Sequence, residues 1–280
     1  MKNDIPVQIT GLGIPLPVDD ITDVVLNETI IKTFTYPELT QLQRYALPVL
    51  SVGHNLMACA PSGSGKTAAF CLPIISEVMK TTCSKSRASF AFPVALILCP
   101  TETLALQVFN EAKTFCHKTQ VKVTYGGAVC YDQVREKTED VDILVATPKQ
   151  IQMMIDEEKD DKPSVALKDI KYLALDKADQ MLTDANHQDI RRIVDLSDMP
   201  SASERQTMIF SATFPPKIQR RASGYLYNNN NNSNKSSYIF LSVGRVGSSK
   251  CDFWDFRNKS DYGSEYYNAI DSYGGATSGG

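Results

Sequence analysis

The residues Ala60-Pro61-Ser62-Gly63-Ser64-Gly65-Lys66-Thr67 have the types and spacing to hold a phosphate chain. Small residues let the main chain curl so that several N–H groups converge on one anion, and the positive end of a following helix dipole adds to that field. In such a loop Lys66 reaches the β- and γ-phosphates, and the Thr67 hydroxyl binds Mg²⁺. The strict pattern opens on glycine, and here the first residue is Ala60, where small size suffices. A plain glycine turn between a strand and a helix is the other reading. The spacing, the Lys-Thr pair and the flanking elements together favour the phosphate loop.

A nucleotide site of this kind also needs a carboxylate at the end of a neighbouring strand to hold Mg²⁺. Asp176 meets that need, directly after the apolar run Tyr172-Leu173-Ala174-Leu175. It is followed by Lys177-Ala178-Asp179.

The positioning elements are legible around these residues. Leu56-Met57-Ala58-Cys59 is a short apolar run leading into the loop, and Ala68 to Met79 continue from it at helical spacing. Further apolar runs are Val94 to Leu98, Val121 to Thr124, Ile143 to Ala146, Tyr172 to Leu175, Met208 to Phe210 and Tyr238 to Leu241. Helical patterns fall at Ile21 to Ile31, Gln41 to Leu50, Thr103 to Cys116, Gln150 to Glu157 and His187 to Leu196. Near-continuous apolar strands alternating with helices predict an α/β fold, a parallel sheet of about seven strands covered by helices on both faces. Ligands in such folds bind at the carboxyl ends of the strands, where the loop lies.

Composition narrows the class. The chain has 280 residues, 42% of them hydrophobic, and a net charge of −3, so no global basic field marks it as a nucleic-acid binder. Its seven cysteines are scattered and its three histidines lack metal-ligand spacing. No apolar run approaches membrane length, and the N-terminus is polar; both point to a soluble cytoplasmic or nuclear protein. Residues 1–20 are proline-rich and read as an extended leader, with the folded domain over 21–245. Asn228 to Asn232, a run of asparagines, reads as a surface loop. Residues 246–280 read as a disordered Ser/Gly/Asn/Tyr-rich tail. Phe253, Trp254 and Phe256 in that tail are either an unstructured aromatic patch or a docking point for a protein partner.

With these motifs in order, the chain resembles the first RecA-like domain of the DEAD-box RNA helicases, in the Vasa and Belle branch. The resemblance runs from Ile5 to about Gly247. Tyr36 and Thr40 to Gln43 match the adenine-reading Q motif, with Gln43 as its glutamine. Pro100 to Leu104 sit at PTREL, Gly126-Gly127 at the glycine pair, and Thr147 to Gln150 at TPGR. Asp176 to Asp179 stand at the DEAD box, and Ser211-Ala212-Thr213 match SAT, followed by Phe214-Pro215. The resemblance implies a RecA-like P-loop NTPase domain with ATP and Mg²⁺ as ligands. Its nucleotide site would comprise Tyr36, Gln43, Ser62, Gly63, Ser64, Gly65, Lys66, Thr67, Asp176, Asp179, Ser211 and Thr213, with Thr67 and Asp176 on the metal. Its RNA contacts would be Pro100, Thr101, Gly126, Gly127, Thr147 and Pro148.

The departures from the family pattern are as informative. The family's water-activating Glu is Lys177, and a protonated ammonium cannot act as a base. At about 4 Å and an effective dielectric near 20, each unit charge interaction is about 4 kcal/mol. Lys177 therefore either strengthens phosphate binding, displaces Mg²⁺, or points to solvent. Two RNA-contacting arginines are Glu102 and Gln150, and the glycine before the second is Lys149, so single-stranded RNA affinity should be weakened. The upstream aromatic that stacks on adenine corresponds to Ile21, and prolines of the Q motif to Leu39 and Gln41. A second RecA-like domain, expected just after Gly247, is read as absent, and with it the arginine fingers, typically worth about 10³–10⁵ in rate.

Three readings follow. One is a domain that binds ATP or ADP with little or no hydrolysis, no intact catalytic residue and no autonomous unwinding. The second is an interaction module that holds partners of a parent helicase without nucleotide. The third is a helicase activity completed by a second domain in trans. The compartment implied is the cytoplasm, the nucleus or RNA granules.

Overall fold

Leu56 and Ala58 face one side of their strand and Met57 and Cys59 the other, yet all four are buried. Such strands require cover on both faces. The computed structural model describes residues 5–80, 91–126, 141–156, 158–159, 162–163, 165–195, 197–226 and 238–244. Its strands are β1 (Val7–Thr10), β2 (Asn55–Cys59), β3 (Ala95–Leu98), β4 (Val123–Tyr125), β5 (Ile143–Ala146), β6 (Glu158–Lys159), β7 (Lys162–Pro163), β8 (Tyr172–Asp176), β9 (Gln206–Ser211) and β10 (Tyr238–Val243). Its α-helices are α1 (Glu28–Thr33), α2 (Gln41–Ser51), α3 (Lys66–Lys80), α4 (Glu102–Cys116), α5 (Pro148–Asp156), α6 (Ala178–Met181), α7 (His187–Val194) and α8 (Pro216–Leu226).

Eight strands form one sheet in the order β1-β10-β2-β9-β8-β3-β5-β4. Every pairing in it is parallel except β1 with β10. Helices α2, α3 and α4 bury Leu42, Leu47, Phe70, Ile74 and Val108 on one face, and α5 to α8 bury Ile151, Met181, Ile190 and Ala222 on the other. Each fully buried Leu, Ile or Phe contributes about 1.5–3 kcal/mol.

The α/β class and the two-sided cover are as expected, with eight strands instead of about seven. The additional one, β1, lies in the leader. Val7 and Ile9 pack on the core while Pro6 precedes the strand. An edge strand tolerates a neighbouring proline because nothing pairs on its outer side. Gly11 follows with φ +147°, and a Cβ there would lie 2.9 Å from Ile239 Cγ1, so the leader turns away from the sheet at close range.

Other boundaries moved for local reasons. The helical spacing of Ile21 to Ile31 resolves into a 3₁₀ turn (Ile21–Asp23) and α1. The two are separated because the Asn27 side chain accepts from Thr29 N and caps a new helix. Residues 121 and 122 fall outside β4, which starts at Val123. Cys71, Cys99 and Cys116 are buried free thiols; burial pushes the first two up and Cys116 to about 12. Among the described residues no helix is long and apolar enough to cross a membrane. Gly127, the asparagine run, the tail with Phe253, Trp254 and Phe256, and Cys83, Cys130 and Cys251 lie outside the described residues.

Candidate nucleotide-binding site

The loop from Ala60 to Gly65 joins β2 to α3 at the carboxyl edge. Ala60 N donates to Ser211 O at 3.0 Å, which ties the loop to the end of β9. Gly63 and Gly65 take φ values of +77° and +80°, the left-handed region glycine reaches without strain. The curl brings the Lys66 ammonium onto the loop's own carbonyls, donating to Ala60 O and Pro61 O, each at 2.8 Å. Burial holds the Lys66 pKa below the usual lysine value, Asp176 opposes that, and Lys177 adds to it. Ser62 is exposed on the loop's outer side.

Asp176 ends β8, which lies between β9 and β3. It is 5% exposed, and its Oδ1 has no hydrogen-bond partner among the described residues. Burial pushes this carboxyl up, and Lys66, Lys177 and the Lys177 N–H pull it down. The Thr67 hydroxyl is hydrogen-bonded to the Glu111 side chain, whose carboxyl is raised mainly by burial. A carboxylate oxygen without a partner and a hydroxyl oriented by a second carboxylate are the hard oxygen donors that Mg²⁺ takes alongside phosphate oxygens. Among the described residues no cluster of three or more His, Cys, Asp or Glu could hold a metal alone.

Lys177 is the one non-glycine residue with positive φ among the described residues, at φ 56° and ψ 50°. Its ammonium makes no hydrogen bond or ion pair with a described residue, yet it acts electrostatically on both Lys66 and Asp176. Beyond it, Ser211 Oγ accepts from Asp179 N at 3.2 Å and Thr213 N at 3.4 Å. Thr213 Oγ1 donates to Asp179 Oδ2 at 3.1 Å. Asp179, Ser211 and Thr213 are thus one cluster beside Asp176.

The Q segment approaches the loop from α2. Thr40 caps α2 in a capping box with Gln43. From the same positions, Thr40 Oγ1 donates to Ser64 O at 2.7 Å and Gln43 Nε2 to Gly65 O at 3.2 Å. Tyr36 is 50% exposed and lies 5.2 Å from Phe34, centroid to centroid. Ile21 packs against the core.

The residues expected to meet RNA lie farther along the same edge. Pro100 and Thr101 follow β3, Gly126 follows β4, and Thr147 and Pro148 follow β5. Thr101 is the N-cap of α4, and Glu102 is exposed in its first turn. Gln150 is 8% exposed: its Oε1 accepts from Thr147 N at 2.9 Å and its N donates to Thr147 Oγ1 at 3.3 Å. That side chain is folded into a cap of its own helix and is not presented outward.

Glu111 was not singled out from sequence. Its signal was available: it sits among Ala105, Val108, Ala112 and Phe115 at helical spacing, a charge on the buried stripe of α4. The capping pairs Thr40/Gln43 and Thr147/Gln150 were likewise readable as Thr-x-x-Gln.

A parallel sheet with a glycine loop, a lysine and a strand-end aspartate at its carboxyl edge defines a P-loop nucleotide-binding domain. The DEAD/DEAH box helicase family model matches residues 40–221, and the chain belongs to that family. It is 45% identical over 261 residues to DEAD-box ATP-dependent RNA helicase 52A of Oryza sativa subsp. japonica, covering 89% of this chain and 41% of that protein. The chain therefore spans less than half the length of that relative. The fold resembles the RNA helicase Prp28 from Chaetomium thermophilum bound to ADP, with a TM-score of 0.70 and 27% identity over 86% of this chain and 54% of that one. A DEAD box protein from the hyperthermophile Methanococcus jannaschii gives 0.64 and 26%, over 81% and 56%.

Proposed function

We propose that this chain is a helicase ATP-binding domain that holds ATP or ADP, with Mg²⁺ on Thr67 and Asp176, and scarcely hydrolyses it. The observation that carries this reading is Lys177 in place of the water-activating carboxylate, one residue from a buried aspartate with an unpartnered oxygen. Mg²⁺, when bound, supplies charge neutralisation of the β- and γ-phosphates. The chain's own residues do the rest. The loop N–H groups cradle the phosphates, Lys66 exchanges two carbonyl partners for phosphate oxygens, and Gln43 and Tyr36 are the residues that would read an adenine. No group at position 177 takes a proton from water, so general-base catalysis, typically worth about 10²–10⁴ in rate, is forfeited. The ADP in the Prp28 structure supports the choice of ligand.

RNA binding is the weaker part of the reading. Gln150 is turned inward and Glu102 places a negative charge at the expected phosphate track, so RNA affinity should fall well below that of a domain with two arginines there.

The test is binding of a fluorescent ATP analogue and of ADP to the purified protein and to Lys66→Ala, with ATP turnover measured beside it. Binding by wild type and none by Lys66→Ala, with turnover near background, is the expected result. Absence of binding at millimolar nucleotide would remove the reading in favour of an interaction module, and RNA-stimulated turnover would return the chain to the active helicases.

A further inference from the structure

Two lysines and two aspartates stand at the mouth of the loop: Lys66, Lys177, Asp176 and Asp179. Their formal charges cancel. With a carboxylate at position 177 the same set would carry two more negative charges, and a polyphosphate entering it would need a divalent cation. Glu111, behind Thr67, adds one negative charge in either case. Three geometric features make the lysine an occupant of the site. It is only partly exposed and sits between the buried Asp176 and Ala178. Its main chain is held in the left-handed region, where a residue with a Cβ is disfavoured by about 1–2 kcal/mol, so the turn is set by its surroundings. Its ammonium has no hydrogen-bond or ion-pair partner among the described residues, while Asp176 Oδ1 beside it has none either. On adjacent residues, a buried carboxylate oxygen and an ammonium are both without a partner among the described residues, one able to take a cation and the other an anion.

We propose that Lys177 is a built-in counter-cation, so that this chain holds nucleotide phosphates with little dependence on Mg²⁺. The proposal rests on the nucleotide-holding function above and specifies its ion requirement. Thr67 and Asp176 can still accept Mg²⁺. The ammonium supplies at the phosphate chain part of the charge the metal would otherwise bring. The corollary is a site charged for retention: the lysine that removes the general base also strengthens the hold on ADP.

The experiment compares wild type, Lys177→Glu and Lys177→Met for binding of fluorescent ADP, in millimolar Mg²⁺ and in EDTA, with a thermal melt of each protein as a control for folding. Wild-type affinity is expected to change less than about threefold between the two conditions. Lys177→Glu should lose more than about tenfold in EDTA, tenfold being about 1.4 kcal/mol, and Lys177→Met should fall between. Equal Mg²⁺ dependence in all three folded proteins would overturn the proposal and leave the lysine facing solvent. Wild-type binding seen only with Mg²⁺ would also overturn it while leaving nucleotide binding intact. Wild-type binding in neither condition would overturn both.

Discussion

The side-chain amide of Gln43 donates to the main-chain carbonyl of Gly65 at 3.2 Å. The same side chain accepts from Thr40 N at 3.0 Å, so one residue closes the N-terminus of α2 and grips the phosphate loop. A Cβ on Gly65 would run into this amide. The start of α2 and the shape of the loop are therefore coupled through one glutamine. Gln43→Ala should lower stability by about 1–2 kcal/mol through the lost cap and the uncompensated buried groups. It should weaken ADP binding more than Tyr36→Ala does, because only Gln43 reaches the loop. Chemical denaturation and fluorescent ADP titration check both parts.

Ser211 Oγ receives two main-chain N–H groups, from Asp179 and Thr213, and the residue is fully buried. Ser211→Ala leaves both donors without that acceptor and should cost about 1–3 kcal/mol. Thr213→Val removes one exposed side-chain bond and should cost less than about 1 kcal/mol. Equilibrium unfolding of the two variants should rank them in that order.

Glu111 bears a carboxyl raised by burial, so its ionised form opposes folding at neutral pH. For a raised pKa the favourable contribution lies on the acid side and is lost as pH rises through the folded value. Glu111→Gln keeps an acceptor for Thr67 without the charge. It should match or exceed wild-type stability at pH 7 by about 0.5 kcal/mol and lose that advantage near pH 4. Guanidinium melts at the two pH values measure it.

His187 on α7 pairs through Nε2 with the Tyr225 hydroxyl of α8 at 3.0 Å. Burial, with Arg221 and Arg191 nearby, pushes its pKa down to about 4, and Asp184 only partly opposes them. A depressed histidine stabilises the fold above its unfolded value near 6.5, and that contribution is lost as pH falls from there through about 4. The side chain is half-buried, so screening limits the effect to about 1 kcal/mol. His187→Gln should flatten the stability profile between pH 6.5 and 4 by that amount, as read from urea midpoints.

Much of the architecture was legible in the chain because its signals are local. Ile143 to Ala146 is a strand in both readings, since four consecutive apolar residues between turn signals have no other good use. The loop from Ala60 to Thr67 announces itself by spacing alone. The leader strand Val7–Thr10 did not, because it exists only by pairing with Val243 to Phe240, more than two hundred residues away. The inward fold of Gln150 onto Thr147 is a local Thr-x-x-Gln cap, whereas tertiary structure alone decided that Glu111 reaches Thr67 and that Lys66 rests on Ala60 and Pro61. The Lys177 substitution was plain in the sequence, but its left-handed backbone beside a buried carboxylate was not. Residue identity sets which charges are available; only packing sets their burial and spacing, and electrostatic strength depends on both.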